Sequence, residues 1–104
     1  MSDEPCPPPP SLSEGALVRE LPIINRKGLH ARASAKFVQC CENFTADIRV
    51  TRCGETVGGT SIMGLLTLAA AQGTSVSVAA TGAQAKEALD ALEALLSNRF
   101  GEDE

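Results

Sequence analysis

ARASAKFVQCCENFTADIRVT, residues 31–51, changes its hydrophobic period halfway along. From Ala31 to Cys41 the apolar positions Ala31, Ala35, Val38 and Cys41, joined by Phe37, recur at helical spacing. From Phe44 onward the pattern alternates. Phe44, Ala46, Ile48 and Val50 interleave with Thr45, Asp47, Arg49 and Thr51, which predicts a half-buried strand. A helix with one apolar stripe followed at once by a strand with one apolar face calls for a fold in which helices cover a sheet.

Working outward, Leu17 to Ile24 reads as a strand, with Pro22 marking an edge position because it has no N–H for a ladder. Asn25-Arg26-Lys27-Gly28 makes a loop. Downstream, Cys53-Gly54 turns the chain into a short strand over Glu55–Val57, and Gly58-Gly59 breaks it. Thr60-Ser61 can cap a short helix over Ile62–Ala70, ended by Gln72-Gly73. Val76, Val78 and Ala80 then alternate with Ser75, Ser77 and Ala79 as a further strand. Thr81-Gly82 opens the last helix, with a core face of Ala85, Ala88, Leu89, Leu92, Leu95 and Leu96. Lys86, Glu87, Asp90 and Glu93 face water. The order β-α-β-β-α-β-α, with helices able to cover one face of four strands, makes an α+β two-layer sandwich.

At 104 residues the chain is one domain, and with three Phe and no Trp or Tyr its core must be aliphatic. Residues 1–16, with Pro5 and Pro7 to Pro10 among serines and acids, are expected to be a disordered tail. The domain is expected over residues 17–100, followed by an acidic tail over 101–104. The formal charge of −4 is unevenly spread: the tails hold Asp3, Glu4, Glu14, Glu102, Asp103 and Glu104 and no base. A mildly basic body without exposed aromatic residues on its strands argues against nucleic-acid binding. No apolar run reaches membrane-spanning length and the acidic start is unlike a secretory signal, so a cytoplasmic protein without membrane insertion is expected. Cys6, Cys40, Cys41 and Cys53 lack the paired spacing of a zinc site and are read as reduced thiols without chemistry; no metal site is expected.

The single histidine, His30, stands in Gly28-Leu29-His30-Ala31-Arg32-Ala33, at the start of the first helix. Backbone N–H groups at a helix N-terminus favour an anion, and imidazole is a nucleophile near neutral pH. Arg26, Lys27, Arg32 and Lys36 crowd around it with no acid among them, a mutual repulsion that a dianionic ligand would relieve. These residues point to a group that accepts a phosphoryl unit and hands it on.

Two separated segments carry a family resemblance. Gly28-Leu29-His30-Ala31-Arg32 with Ser34-Ala35-Lys36-Phe37-Val38 resembles the active-site segment of the HPr family, the histidine-containing phosphocarriers of the bacterial phosphotransferase system. Val57-Gly58-Gly59-Thr60-Ser61-Ile62-Met63-Gly64-Leu65-Leu66 is similar to that family's second signature, around its regulatory serine. The likeness covers roughly residues 17–98. It implies an HPr-like open-faced β-sandwich, a four-stranded antiparallel sheet covered on one face by three helices. It also implies a carrier without turnover of its own, needing no cofactor. His30 would take a phosphoryl group at Nδ1 from enzyme I, ultimately from phosphoenolpyruvate, and pass it to an EIIA-type acceptor.

By the same resemblance Arg32 would stabilise the phosphate, together with the backbone N–H groups of Ala31 and Ala33. Ser61, by itself an ordinary helix N-cap, would be the regulatory site of an HPr kinase/phosphorylase. Met63 and Leu66 are the candidates for an exposed docking patch, with core packing taking most of Ile62, Met63, Leu65 and Leu66. The expected oligomeric state is a monomer. The alternative within the family is a nitrogen-branch paralogue acting on soluble regulators and not on sugar uptake. One departure stands out: the family usually has proline where this chain has Ala33, which adds a backbone donor at the site.

Overall fold

The computed structural model describes residues 16–101. The tails expected at 1–16 and 101–104 lie outside the described residues except for Ala16 and Gly101. The elements are β1 (Leu17–Pro22), α1 (Ala31–Glu42), β2 (Asp47–Arg52), β3 (Glu55–Gly58), α2 (Ile62–Thr67), β4 (Ser75–Thr81), α3 (Ala85–Ser97) and a 3-10 turn, Arg99–Gly101.

The four strands form one antiparallel sheet in the order β1-β4-β2-β3. Pro22 therefore lies on an edge strand, where its missing N–H breaks no central ladder. Register sorts the two faces. Val78 pairs with Val50 and Ala80 with Ile48, and these four, with Leu21 and Val76, are buried under the helices. Glu20, Asp47, Arg49 and Thr56 lie on the opposite, open face, where Thr51 Oγ1 and Thr56 Oγ1 share a hydrogen bond at 2.8 Å. The β2–β3 hairpin turns through Cys53 (φ 52°) and Gly54 (φ 84°), the two left-handed residues that a two-residue hairpin needs to match strand twist.

The helical layer corrects the expected stripe on α1. Its buried residues are Ala33, Ser34, Phe37, Val38 and Cys41, whereas Ala31 is exposed and Ala35 half-buried. Alanine spacing carries little weight against Phe37, whose ring decides which side of the helix turns inward. On α3 the expected face is buried at Ala85, Ala88, Leu89, Leu92 and Leu96, with Leu95 partly covered. Gln84 clasps the turn before β2: its N–H donates to Thr45 C=O at 3.0 Å, and its Oε1 accepts from Thr45 N–H at 2.7 Å. Phe100, in a 3-10 turn that the sequence pattern did not reveal, is almost wholly buried and closes the end of the core.

Boundaries move inward at several ends. β1 stops at Pro22, two residues short of Ile24, and β2 begins at Asp47 because Phe44 N–H turns back to Cys41 C=O. α2 ends at Thr67, short of Ala70, because Ala69 adopts a left-handed conformation (φ 51°). Arg52 Nη1 donates to Leu68 C=O at 3.0 Å, placing a cation on the free carbonyls of that helix end.

Arg19 ties β1 to α3 through Asp90 (2.6 Å) and Glu93 (3.0 Å), and its hydrogen bond, then that of Lys86, holds the Asp90 carboxyl below the usual carboxylate range. Cys40 and Cys41 are free thiols. Cys53 is disulfide-bonded, against the expectation of four reduced thiols; pairing is set by proximity in the fold, which sequence spacing does not encode. Burial pushes the Cys41 thiol up to about 12. Because the folded value lies above the unfolded one, stability should fall as pH rises from the ordinary thiol range towards 12, and Cys41 should resist alkylation at pH 8 until the chain unfolds, as read by intact mass.

The left-handed Ala69 yields a sharper stability prediction. Ala69→Gly removes the Cβ clash of that backbone conformation and should raise unfolding stability by about 0.5–1 kcal/mol, measured as a higher urea midpoint at unchanged slope.

Candidate functional site

The segment before α1 is held to the segment after α2 by a ladder of hydrogen bonds. Ile23 N–H donates to Thr74 C=O (2.7 Å), Gly73 N–H to Ile23 C=O (2.9 Å), and Gln72 Nε2 to Ile24 C=O (3.2 Å). Asn25 is fully buried, and its Nδ2 donates to Gly28 C=O at 2.8 Å while Gly28 N–H returns to Asn25 C=O at 3.2 Å. Leu29 N–H donates to Ala70 C=O at 2.8 Å, and the buried Ser34 Oγ donates to Leu29 C=O at 3.3 Å. Both peptide groups preceding His30 are therefore anchored before the helix begins.

Gly28 is required twice over. Its φ is +68°, and a Cβ there would lie 2.5 Å from the Ala70 carbonyl oxygen. Any side chain would push the two segments apart at the bond that orients His30.

His30 is the N-cap of α1, with extended backbone (φ −80°, ψ −175°). Its Nδ1 accepts from Arg32 N–H at 3.3 Å, and its carbonyl accepts the first helical bond from Ser34 N–H at 2.8 Å. In a neutral ring an accepting Nδ1 leaves the proton on Nε2. The Nδ1 lone pair thus points at the helix N-terminus, where anions are favoured. The amides of Ala31 and Ala33 precede that first helical bond and share this end, although the Ala33 side chain is completely buried. Arg32 is exposed, and no hydrogen bond or ion pair among the described residues engages its guanidinium.

The expected basic cluster is only partly brought together. Arg26 and Lys27 lie exposed on the loop, but Lys36 Nζ turns away to donate to Phe100 C=O. Its charge is committed to the end of the chain's last turn, a contact invisible to a count of nearby cations.

Ser61 is the N-cap of α2: it is exposed, and its Oγ accepts from Gly64 N–H at 3.0 Å. A Cβ on Gly64 would sit 2.9 Å from Val57 Cβ and 3.0 Å from Ser61 Oγ, so this helix start packs too closely for another residue. Met63 is 72% exposed and Leu66 half-buried. The expectation that the core takes most of this apolar run is corrected: only Leu65 is fully buried, and Ile62 joins Met63 at the surface with 39% exposure. A six-residue helix shows the sheet too narrow a face to bury more.

The supporting residues Asn25 and Ala70 were missed in the sequence. Asn25 carried a signal as a turn residue; Ala70 carried none, because its role is played by a backbone carbonyl. Among the described residues no group of His, Cys, Asp and Glu is arranged to hold a metal, and no helix is long and apolar enough to cross a membrane.

Gly28→Ala should cost at least about 2 kcal/mol of unfolding stability and shift the amide resonances of residues 29–32, since strain and contact fall on the same bond. Unchanged shifts at Leu29 and Arg32 would show that the loop does not set the helix start.

The chain is similar to known proteins in both sequence and fold. The family model described as "PTS HPr component phosphorylation site" matches residues 17–98. The phosphocarrier protein HPr of Cupriavidus necator is 49% identical over 88 residues, covering 85% of this chain and 99% of its own length. The crystal structure of HPr from Thermoanaerobacter tengcongensis superposes with a TM-score of 0.81 at 38% identity, over 85% of this chain and 99% of that one. HPr from Bacillus anthracis superposes with a TM-score of 0.75 at 37% identity, over 78% and 96%.

Proposed function

The chain belongs to the HPr family of the phosphotransferase system, and from that premise we propose that it carries phosphoryl groups on Nδ1 of His30. The observation that supports this atom is its lone pair, aimed at the start of α1 and accepting from Arg32 N–H. In the transfer, the Nδ1 lone pair forms the new N–P bond while the bond to the donor breaks and its electron pair stays with the donor. The phosphoryl group then takes the place of the Arg32 N–H contact, and that amide, with those of Ala31 and Ala33, donates to its oxygens. Arg32 adds a permanently charged fork that spreads the charge of a loose transition state. The site stays open to solvent, which suits a group that must leave again.

On this reading the donor is enzyme I and the onward acceptor an EIIA-type protein, with the chain acting as a cytoplasmic monomer and carrier without turnover of its own. The domain spans residues 17–100. Met63 and Leu66, joined by the exposed Ile62, form the docking patch; a flexible thioether suits a surface recognised by several partners. Ser61 is the regulatory site. Its phosphate would sit at a helix N-terminus, which tolerates it, and beside the apolar patch, where a dianion repels or desolvates a partner.

Incubation with enzyme I and phosphoenolpyruvate should place one acid-labile phosphate on His30, and His30→Ala should abolish acceptance while its circular dichroism stays native. Normal acceptance by that variant would refute the assignment. Arg32→Gln should slow transfer by about 10²-fold, the cost typical of losing one transition-state donor.

Ala33 supplies an N–H where the family's proline would not. Ala33→Pro should therefore alter the hydrolysis rate of the phosphohistidine, and equal rates would show that this amide does not hold the group. Treatment with an HPr kinase and ATP should add one phosphate to the chain and none to Ser61→Ala, read by intact mass.

A further inference from the structure

The carbonyl that anchors the approach to His30 follows directly on a residue in an unfavourable conformation. Ala69 has φ 51°, the left-handed region in which an alanine Cβ crowds the backbone. Glycine enters this region freely, whereas alanine stays there only where its surroundings over-determine it. Those surroundings are visible on both sides of Ala69. The rigid peptide unit before it is held at both ends: Ala69 N–H donates to Leu66 C=O at 3.1 Å, and Leu68 C=O accepts from Arg52 Nη1 at 3.0 Å. Beyond it, Ala70 C=O accepts from Leu29 N–H at 2.8 Å.

Arg52 comes to this point from another part of the fold. It ends β2, opposite Glu55 across the hairpin, and its side chain is half-buried. Glu55 Oε2 lies 3.3 Å from Thr67 Oγ1, so both members of this pair reach the last turn of α2. A guanidinium is the donor best suited to a helix C-terminal carbonyl, where charge strengthens the hydrogen bond. The other end of the chain of contacts is equally close. A Cβ on Gly28 would lie 2.5 Å from the Ala70 oxygen, so a small swing of that carbonyl is felt in the loop before His30.

We propose that Arg52 is a positioning residue for His30: by holding the Leu68 carbonyl it keeps Ala69 left-handed and the Ala70 carbonyl on the Leu29 amide. Without it, Ala69 relaxes out of the left-handed region and carries the Ala70 carbonyl away from Leu29. The start of α1 then loses its anchor, and Nδ1 of His30 is no longer held on the Arg32 amide. The consequence for phosphoryl transfer rests on the carrier role proposed above; the placement of Ala70 does not. Arg52 touches neither His30 nor the phosphoryl group, and acts only through the strained alanine.

The test compares the full chain with Arg52→Ala, Ala69→Gly and the double variant. The scalar coupling across the hydrogen bond from Leu29 N–H to Ala70 C=O and the His30 Nδ1 nitrogen shift are read by NMR. Phosphoryl acceptance from enzyme I is timed on the same samples. In Arg52→Ala the coupling should weaken, the Nδ1 shift should move, and acceptance should slow about fivefold, the population shift that one left-handed alanine can drive. Adding Ala69→Gly should restore all three, because glycine holds the left-handed turn without help. An unchanged coupling in Arg52→Ala overturns the inference. A loss that Ala69→Gly leaves unrepaired also overturns it, because the hairpin would then have loosened as a whole. If Arg52→Ala does not fold, Arg52→Gln, with a shorter and uncharged donor, carries the same comparison. The two NMR readouts involve no partner protein. A chain that shows the lost coupling and its rescue yet accepts no phosphoryl group from enzyme I supports the role of Arg52 in placing Ala70 and refutes the carrier reading.

Discussion

The hydrogen bond from Leu29 N–H to Ala70 C=O joins the loop that leads into α1 to the segment that leaves α2. Around it, Asn25 pins Gly28 and Ser34 pins Leu29, so the approach to His30 is fixed on both carbonyls and on one N–H. Each bond is worth only about 1 kcal/mol net. Together they remove the freedom of the residue that must begin the helix at a set angle. If that ladder opened, His30 would still be a histidine, but its Nδ1 would no longer face the helix start.

The same ladder makes the two candidate sites neighbours in a mechanical sense. Ser61 caps the start of α2, and just beyond its end at Thr67 the left-handed Ala69 leads into the Ala70 carbonyl. Gly28 has no side chain because that carbonyl passes through the space one would occupy. The helical layer therefore does more than cover the sheet. It also presents two capped helix N-termini and leaves an apolar pair, Ile62 and Met63, exposed.

Much of this was legible in the sequence. Every strand and helix is present in the expected order, and the edge position of Pro22, the Cys53-Gly54 turn and the caps at His30 and Ser61 follow from local stereochemistry. The departures from the local pattern share one cause. Of the expected stripe on α1, Phe37, Val38 and Cys41 are buried, but Ala31 and Ala35 give way to Ala33 and Ser34, because alanine is too small to decide a face that Phe37 sets. In sequence Lys36 stands among the cations around His30, yet a long flexible side chain goes where an acceptor is, and its acceptor is a carbonyl 64 residues away in sequence. The apolar run Ile62 to Leu66 suggests core packing, yet a six-residue helix buries only Leu65 completely.

The sequence by itself determined the alternation of elements, the aliphatic core, and a lone imidazole set before a helix beside an arginine, because periodicity, capping and charge act between residues a few positions apart. Tertiary structure alone decided which face of α1 is buried, where Lys36 points, and that the Ala70 carbonyl anchors the residue before His30. These are contacts between backbone groups and side chains far apart along the chain. They exist only after the sheet has paired, and backbone carbonyls, identical in every residue, leave no mark in the sequence that could announce them.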